Sequence, residues 1–91
     1  MTARIEVEKV DATHFRIRVI EPGSESSHHV TLQPEDHAKF GGGKLEPEEL
    51  IRRSFKFLLQ RETKESILGR FDLSVISRYF PEYETEMKRG L

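Results

Sequence analysis

Two stretches near the start of the chain alternate apolar and polar residues with the period of two that marks a half-buried strand. Ile5 and Val7 carry the pattern in residues 4–10, and Phe15, Ile17 and Val19 carry it in residues 14–20. Only Asp11-Ala12-Thr13 separates them, so they read as a hairpin. A three-residue loop pairs Val10 with His14, Glu8 with Arg16, Val7 with Ile17, Glu6 with Arg18 and Ile5 with Val19. Opposite charges then meet on one face and apolar side chains on the other. A two-residue loop would set Val7 against Arg18, and such a slip exchanges core and solvent faces. The three-residue register is therefore expected.

Glu21-Pro22-Gly23-Ser24 is a turn signal, and the polar residues through Ser27 read as a loop. His28 to Leu32 is predicted as a third strand, with His28, Val30 and Leu32 on one side and His29 and Thr31 on the other. Pro34, Glu35 and Asp36 then open a helix that Gly41-Gly42-Gly43 stops within two turns. Pro47 fits the first position of the main helix, with Leu45 and Leu50 spaced as a hydrophobic staple. At roughly 100° per residue, Leu50, Ile51, Phe55, Phe57, Leu58 and Leu59 span an arc wide enough for burial on more than one side. Arg52, Arg53, Lys56 and Gln60 take the rest.

Beyond Glu62 the pattern shortens. Ser66-Ile67-Leu68-Gly69 ends or bends a segment, and Asp72 is expected to cap a helix over residues 73–79, with Phe71 and Ile76 as its staple. Pro81 stops that helix. It also opens a last one, with Glu82, Glu84 and Glu86 early, Lys88 and Arg89 late, and Gly90 behind them. The expected fold is α+β: an N-terminal three-stranded antiparallel meander followed by a main helix and short C-terminal helices packed on one face. A lone hairpin is marginal in water, so the helical half must cover it.

Length confines this to a single domain over residues 1–91. Ile, Val, Leu and Phe exceed a quarter of the chain, above the roughly 20% below which disorder is expected. Charged residues make up 34% of the chain but leave a net −1, so no global field favours DNA, RNA or an anionic membrane. The lack of cysteine removes disulfides, thiol catalysis and thiolate metal sites, and suits a reducing cytoplasm. The charged, alternating N-terminus is not expected to act as a signal peptide, and no apolar run nears the ~18 residues of a spanning helix. A cytoplasmic, membrane-free protein is expected.

Candidate chemistry is sparse. His14, His28, His29 and His37 match no metal-ligand spacing, and adjacent His28 and His29 point to opposite faces of a strand. Gly41-Gly42-Gly43-Lys44 lacks the spacing and the following Ser/Thr of a phosphate loop. No serine sits in a nucleophile elbow, and no paired carboxylates stand out. No enzyme activity, metal or cofactor is expected. Arg52, Arg53, Lys56 and Lys64 form a possible phosphate-binding face, although Glu48 and Glu49 stand four residues before Arg52 and Arg53, placed for ion pairing.

Six of the eight aromatic residues (Phe55, Phe57, Phe71, Tyr79, Phe80 and Tyr83) lie between Glu49 and Met87. Phe71, Ile76 and Phe80 are expected in the core, and Tyr79 and Tyr83 as the residues left for contact with a partner. The leading expectation is thus a non-enzymatic interaction module that binds a protein partner or itself through Tyr79, Phe80 and Tyr83. The alternative is a nucleic-acid-binding accessory protein using Arg52, Arg53, Lys56 and Lys64.

Two resemblances bear on this. Val30 to Asp36 followed by Pro47 to Leu59 resembles a ribbon-helix-helix repressor, in which a strand reads the major groove. Here that strand lacks arginine and lysine, three glycines cut the first helix short, and a hairpin precedes it. The stretch from Val30 to Met87, above all Phe57 to Glu62 and Glu65 to Glu84, resembles small conserved bacterial proteins of uncharacterised function. This second resemblance covers roughly two-thirds of the chain. It implies a bacterial cytoplasmic origin, and no activity, ligand or site residue.

Overall fold

Strands β1 (Arg4–Lys9) and β2 (His14–Glu21) pair antiparallel in the expected register, with Ile5 opposite Val19, Val7 opposite Ile17, Glu6 opposite Arg18 and Glu8 opposite Arg16. Asp11 builds the loop. Its carboxylate accepts the N–H groups of Thr13 (3.0 Å) and His14 (2.9 Å), and Val10 N–H donates to the His14 carbonyl at 2.9 Å. On the solvent face Arg16 reaches Glu8 at 2.9 Å and Arg18 reaches Glu6 at 3.1 Å. Pairs this exposed add little stability, yet they specify the register. The computed structural model of the protein describes residues 3–89, so Gly90 lies outside the described residues.

Strand β3 (Ser24–Thr31) begins directly after Pro22-Gly23, where Gly23 has φ 82°. Residues 24–27, expected as loop, are strand, because the two-residue turn sets Ser24 opposite Glu21. Glu25 then meets Arg18 diagonally across the strands at 3.0 and 3.2 Å. His28, Val30 and Leu32 are buried on the inner face as expected, while His29 and Thr31 lie on the outer.

A fourth strand corrects the expected meander. β4 (Arg70–Asp72) pairs parallel to β3, with Val30 opposite Phe71, in a sheet of order β1-β2-β3-β4. Parallel neighbours need a long crossover, and residues 32–69 supply it. They contain α1 (Pro34–Gly41), α2 (Pro47–Leu59) and a single 3-10 turn (Lys64–Ser66). Pro34 and Pro47 start the two helices as expected, and Gly42, at φ 61°, ends the first. Two short helices, α3 (Val75–Tyr79) and α4 (Tyr83–Arg89), complete the α+β fold.

The core lies between the inner sheet face and the helices. Phe15, Ile17, Val19 and Val30 point in from the sheet and meet Leu50, Ile51, Phe55 and Leu58 of α2. Each such side chain contributes about 1.5–3 kcal/mol by leaving water. Among the described residues every buried side-chain nitrogen and oxygen has a hydrogen-bond partner. No helix among them is long and apolar enough to cross a membrane.

Candidate functional site

The path from α2 to α4 builds an apolar groove, and each step of it is pinned by a polar contact. Lys64, only 3% exposed, holds the 3-10 turn against the β2–β3 hairpin: its ammonium lies 2.9 Å from Glu21 and against the neighbouring Glu65 carboxylate. Hydrogen bonds to Glu65 and then Glu21 raise its pKa above the usual lysine value. The segment that follows is tied to β3. His28, 4% exposed, donates Nδ1–H to the Leu68 carbonyl at 2.8 Å, and its Nε2 accepts the Ser26 hydroxyl at 2.8 Å. A carbonyl can only accept, which sets this tautomer. His29 N–H adds a bond to the Gly69 carbonyl at 2.8 Å. With its backbone thus held, Leu68 turns its side chain outward and is 50% exposed.

Asp72 makes the next bend. Its Oδ1 accepts both the N–H (3.0 Å) and the hydroxyl (2.8 Å) of Ser74. It was expected as the helix cap itself. β4 claims it instead, so its side chain closes an Asx-type turn and α3 starts later, with Ser74 at the cap position. Phe71 and Ile76 are both buried in the core as expected, but with Ser74 at the cap they no longer occupy the staple positions of α3. Pro81 forces Phe80 out of helical angles (φ −130°, ψ 89°), and α3 ends at Tyr79.

Between these elements lies a groove of about 320 Å³. Leu58 forms its floor with Ile67, Phe71 and Ile76, while Val75, Tyr79, Phe80 and Leu68 line the remainder. Glu62 and Ser66 supply its polar groups. Tyr79 is 70% exposed. Phe80 is half-buried, its ring edge-on to Phe57 at 5.8 Å. The guanidinium of Arg61 covers Phe57 at 3.7 Å and reaches Glu82 at 3.0 Å, closing the adjoining surface.

Tyr83 overturns an expectation. It was placed with Tyr79 as a contact residue, and it is 0% exposed. Its hydroxyl lies 2.6 Å from Ser54 Oγ, which bonds the Leu50 carbonyl at 2.8 Å, and its ring stands edge-on to Phe40 (5.0 Å) and Phe57 (5.3 Å). Burial pushes its pKa well above the usual 10.0, with the Ser54 hydrogen bond opposing the shift. Phe80, expected in the core, is the more accessible of the two. Tyr83 and Met87 stand four apart and both are buried, a helical spacing that marked this face in the sequence.

The basic set loses Lys64 and keeps Arg52, Arg53 and Lys56 on α2. Lys64 is buried, and Arg52 and Arg53 both reach Glu49, at 3.3 and 3.2 Å. Lys56 is exposed. Two of the histidines meet and two stand apart: the His14 ring, bonded to Asp11 at 2.8 Å, lies 5.5 Å from that of His29, while His37 bonds the Leu45 carbonyl at 2.6 Å and His28 faces away from His29. Among the described residues no group of three or more His, Cys, Asp or Glu is placed to hold a metal ion. No family model, curated protein or solved structure matches the chain.

Proposed function

We propose that the chain is a non-enzymatic interaction module that binds protein through the groove between the 67–69 segment and α3, with Tyr79 and Phe80 as aromatic contacts. One observation carries the reading: an apolar groove whose rim residues Leu68 and Tyr79 stand 50% and 70% exposed while the backbone beneath is fixed by His28 and Asp72. A rim already held in place loses little conformational entropy when a partner binds. Exposed aromatic and aliphatic side chains beside a concave apolar floor are the usual anchors of protein interfaces. A cytoplasmic setting belongs to this reading, in keeping with the cysteine-free sequence.

Nucleic-acid binding through Arg52, Arg53 and Lys56 is the competing reading, and one experiment separates the two. The full chain is used for capture from its native cell, with and without nuclease, beside a Leu68→Asp/Tyr79→Asp variant. The expected result is a nuclease-resistant protein partner retained by the wild type and lost by the variant. Equal recovery by both chains, or recovery abolished by nuclease, would overturn the groove reading.

A further inference from the structure

β4 is the outermost strand of the sheet, and its hydrogen bonding shows which groups it leaves open. His29 N–H donates to the Gly69 carbonyl at 2.8 Å and Leu73 N–H to the Thr31 carbonyl at 2.9 Å. In a parallel ladder these bonds turn Gly69, Phe71 and Leu73 toward β3, so Arg70 and Asp72 direct their N–H and C=O groups off the sheet. The side chains alternate in the other sense. Phe71 faces the groove, while Arg70 and Asp72 lie on the outer face, opposite His29 and Thr31 in register.

We propose that a second copy of this chain is the partner, joined to the first by antiparallel pairing of the two β4 edges about a two-fold axis at Phe71. The proposal rests on the groove reading for its side-chain contacts and adds the identity of the partner. In this register the outward residues become the hydrogen-bonded pairs: Arg70 faces Asp72 of the second copy, and Asp72 faces its Arg70. Four main-chain hydrogen bonds form, and each cross-strand pair joins opposite charges. Centring the axis on Arg70 or on Asp72 instead sets like charges face to face, which disfavours those registers. The Arg-Phe-Asp triplet is thus complementary to itself. Phe71 meets its own copy as a non-hydrogen-bonded pair, where side chains approach most closely. The grooves beside it, with Leu68 and Tyr79 on their rims, are brought together on the inner side. A two-fold of this kind closes on itself and does not propagate into a filament.

The opposite edge of the sheet offers no such match. The bond from Val10 to His14 turns Ile5, Val7 and Lys9 outward on β1, and Arg52 Nε reaches the Ile5 carbonyl at 3.5 Å. An axis at Glu6, the counterpart of the one at Phe71, would set Arg4 against Glu8 but bring Glu6 face to face with itself at the centre, and an axis at Val7 sets Glu6 against Glu8.

Sedimentation of the full chain over a concentration series tests the proposal. The wild type should dimerise. Arg70→Pro removes an N–H that points off the sheet, so it should be monomeric with an unchanged circular dichroism spectrum. R70E should weaken self-association at least about tenfold, because two attractive pairs become repulsive, and D72K should weaken it at least as much, since it also gives up the two Ser74 bonds at Asp72 Oδ1. Mixed in equal amounts, R70E and D72K should restore the dimer, since both pairs in the mixed species are again opposite in charge. That mixing experiment stands even if Arg70→Pro misfolds. A wild type that stays monomeric at millimolar concentration, or a mixture no tighter than its components, would overturn the proposal. If the wild type is monomeric yet the Leu68→Asp/Tyr79→Asp variant loses a captured partner, self-pairing fails while the groove reading stands. A dimer that survives Arg70→Pro and is lost in that variant also refutes edge pairing, and assigns the groove alone.

Discussion

Replacing Tyr83 should damage the fold in proportion to what is removed, whereas replacing Tyr79 should hardly be felt. Tyr83→Ala deletes a fully buried ring packed edge-on against Phe40 and Phe57. Comparable aromatic truncations cost about 3–5 kcal/mol, set against a total stability of about 5–15 kcal/mol. Tyr83→Phe keeps the ring and removes only the hydroxyl 2.6 Å from Ser54 Oγ. Ser54 retains the Leu50 carbonyl as its acceptor, so the expected loss is that of one net hydrogen bond, about 1 kcal/mol. In a domain of this size that lowers Tm by roughly 4–8 °C. Ser54→Ala strands the tyrosine hydroxyl and should cost about 1–3 kcal/mol. Because the two changes break the same bond, the double variant should cost less than their sum by about 1 kcal/mol. Tyr79→Ala, at a 70% exposed position, should stay within about 0.5 kcal/mol of wild type. Urea unfolding followed by circular dichroism measures all five variants against the wild type. Strict additivity of Tyr83→Phe and Ser54→Ala, or a Tyr79→Ala loss as large as that of Tyr83→Ala, would refute the division of the two tyrosines.

Two further expectations concern the burial of Tyr83 and the hold of His28 on the groove wall. In Tyr79→Phe, which leaves Tyr83 as the only tyrosine, tyrosinate absorbance should rise above pH 10 only as the circular dichroism signal is lost. The sign follows from the raised pKa: the unfolded chain gives up the phenolic proton first, so stability is intact below pH 10 and falls as pH climbs toward the folded-state value. Ionisation centred near pH 10 with the fold intact would contradict the buried assignment. His28→Phe leaves the partly buried Leu68 carbonyl without its donor and should cost about 1 kcal/mol in urea unfolding; hydrogen exchange at residues 67–69 should rise, and unchanged exchange there would show that His28 does not hold the groove wall.

The N-terminal half was legible because its signals are local and mutually consistent. Glu6, Glu8, Arg16 and Arg18 admit a single register with Ile5, Val7, Ile17 and Val19, and Pro47 with the Leu45–Leu50 staple marks one helix start. The failures have physical causes too. Ser24-Glu25-Ser26-Ser27 carries no apolar alternation, and it is strand because a tight turn delivers it to β2 and Glu25 finds Arg18. Arg70-Phe71-Asp72 is too short to show a period, and its parallel pairing depends on residues 32–69 returning the chain to β3. Tyr83 sits between two glutamates and reads as a contact residue for a partner, although its spacing to Met87 is that of a buried helix face. Lys64 looked like part of a basic face, and only the fold brings Glu21 to it. The floor and walls of the groove come from α2, the 67–69 segment, β4 and α3, so no single stretch of sequence encodes it.

The central claim is that the surface around Leu68, Phe71, Tyr79 and Phe80 is where this module binds protein. Backbone amide chemical shifts of the full chain, followed from dilute to concentrated solution, test it most directly. The expected result is a concentration-dependent set of shifts confined to residues 67–80, largest at Arg70 and Asp72. Shifts centred on Arg52, Arg53 and Lys56, with residues 67–80 unmoved, would contradict it.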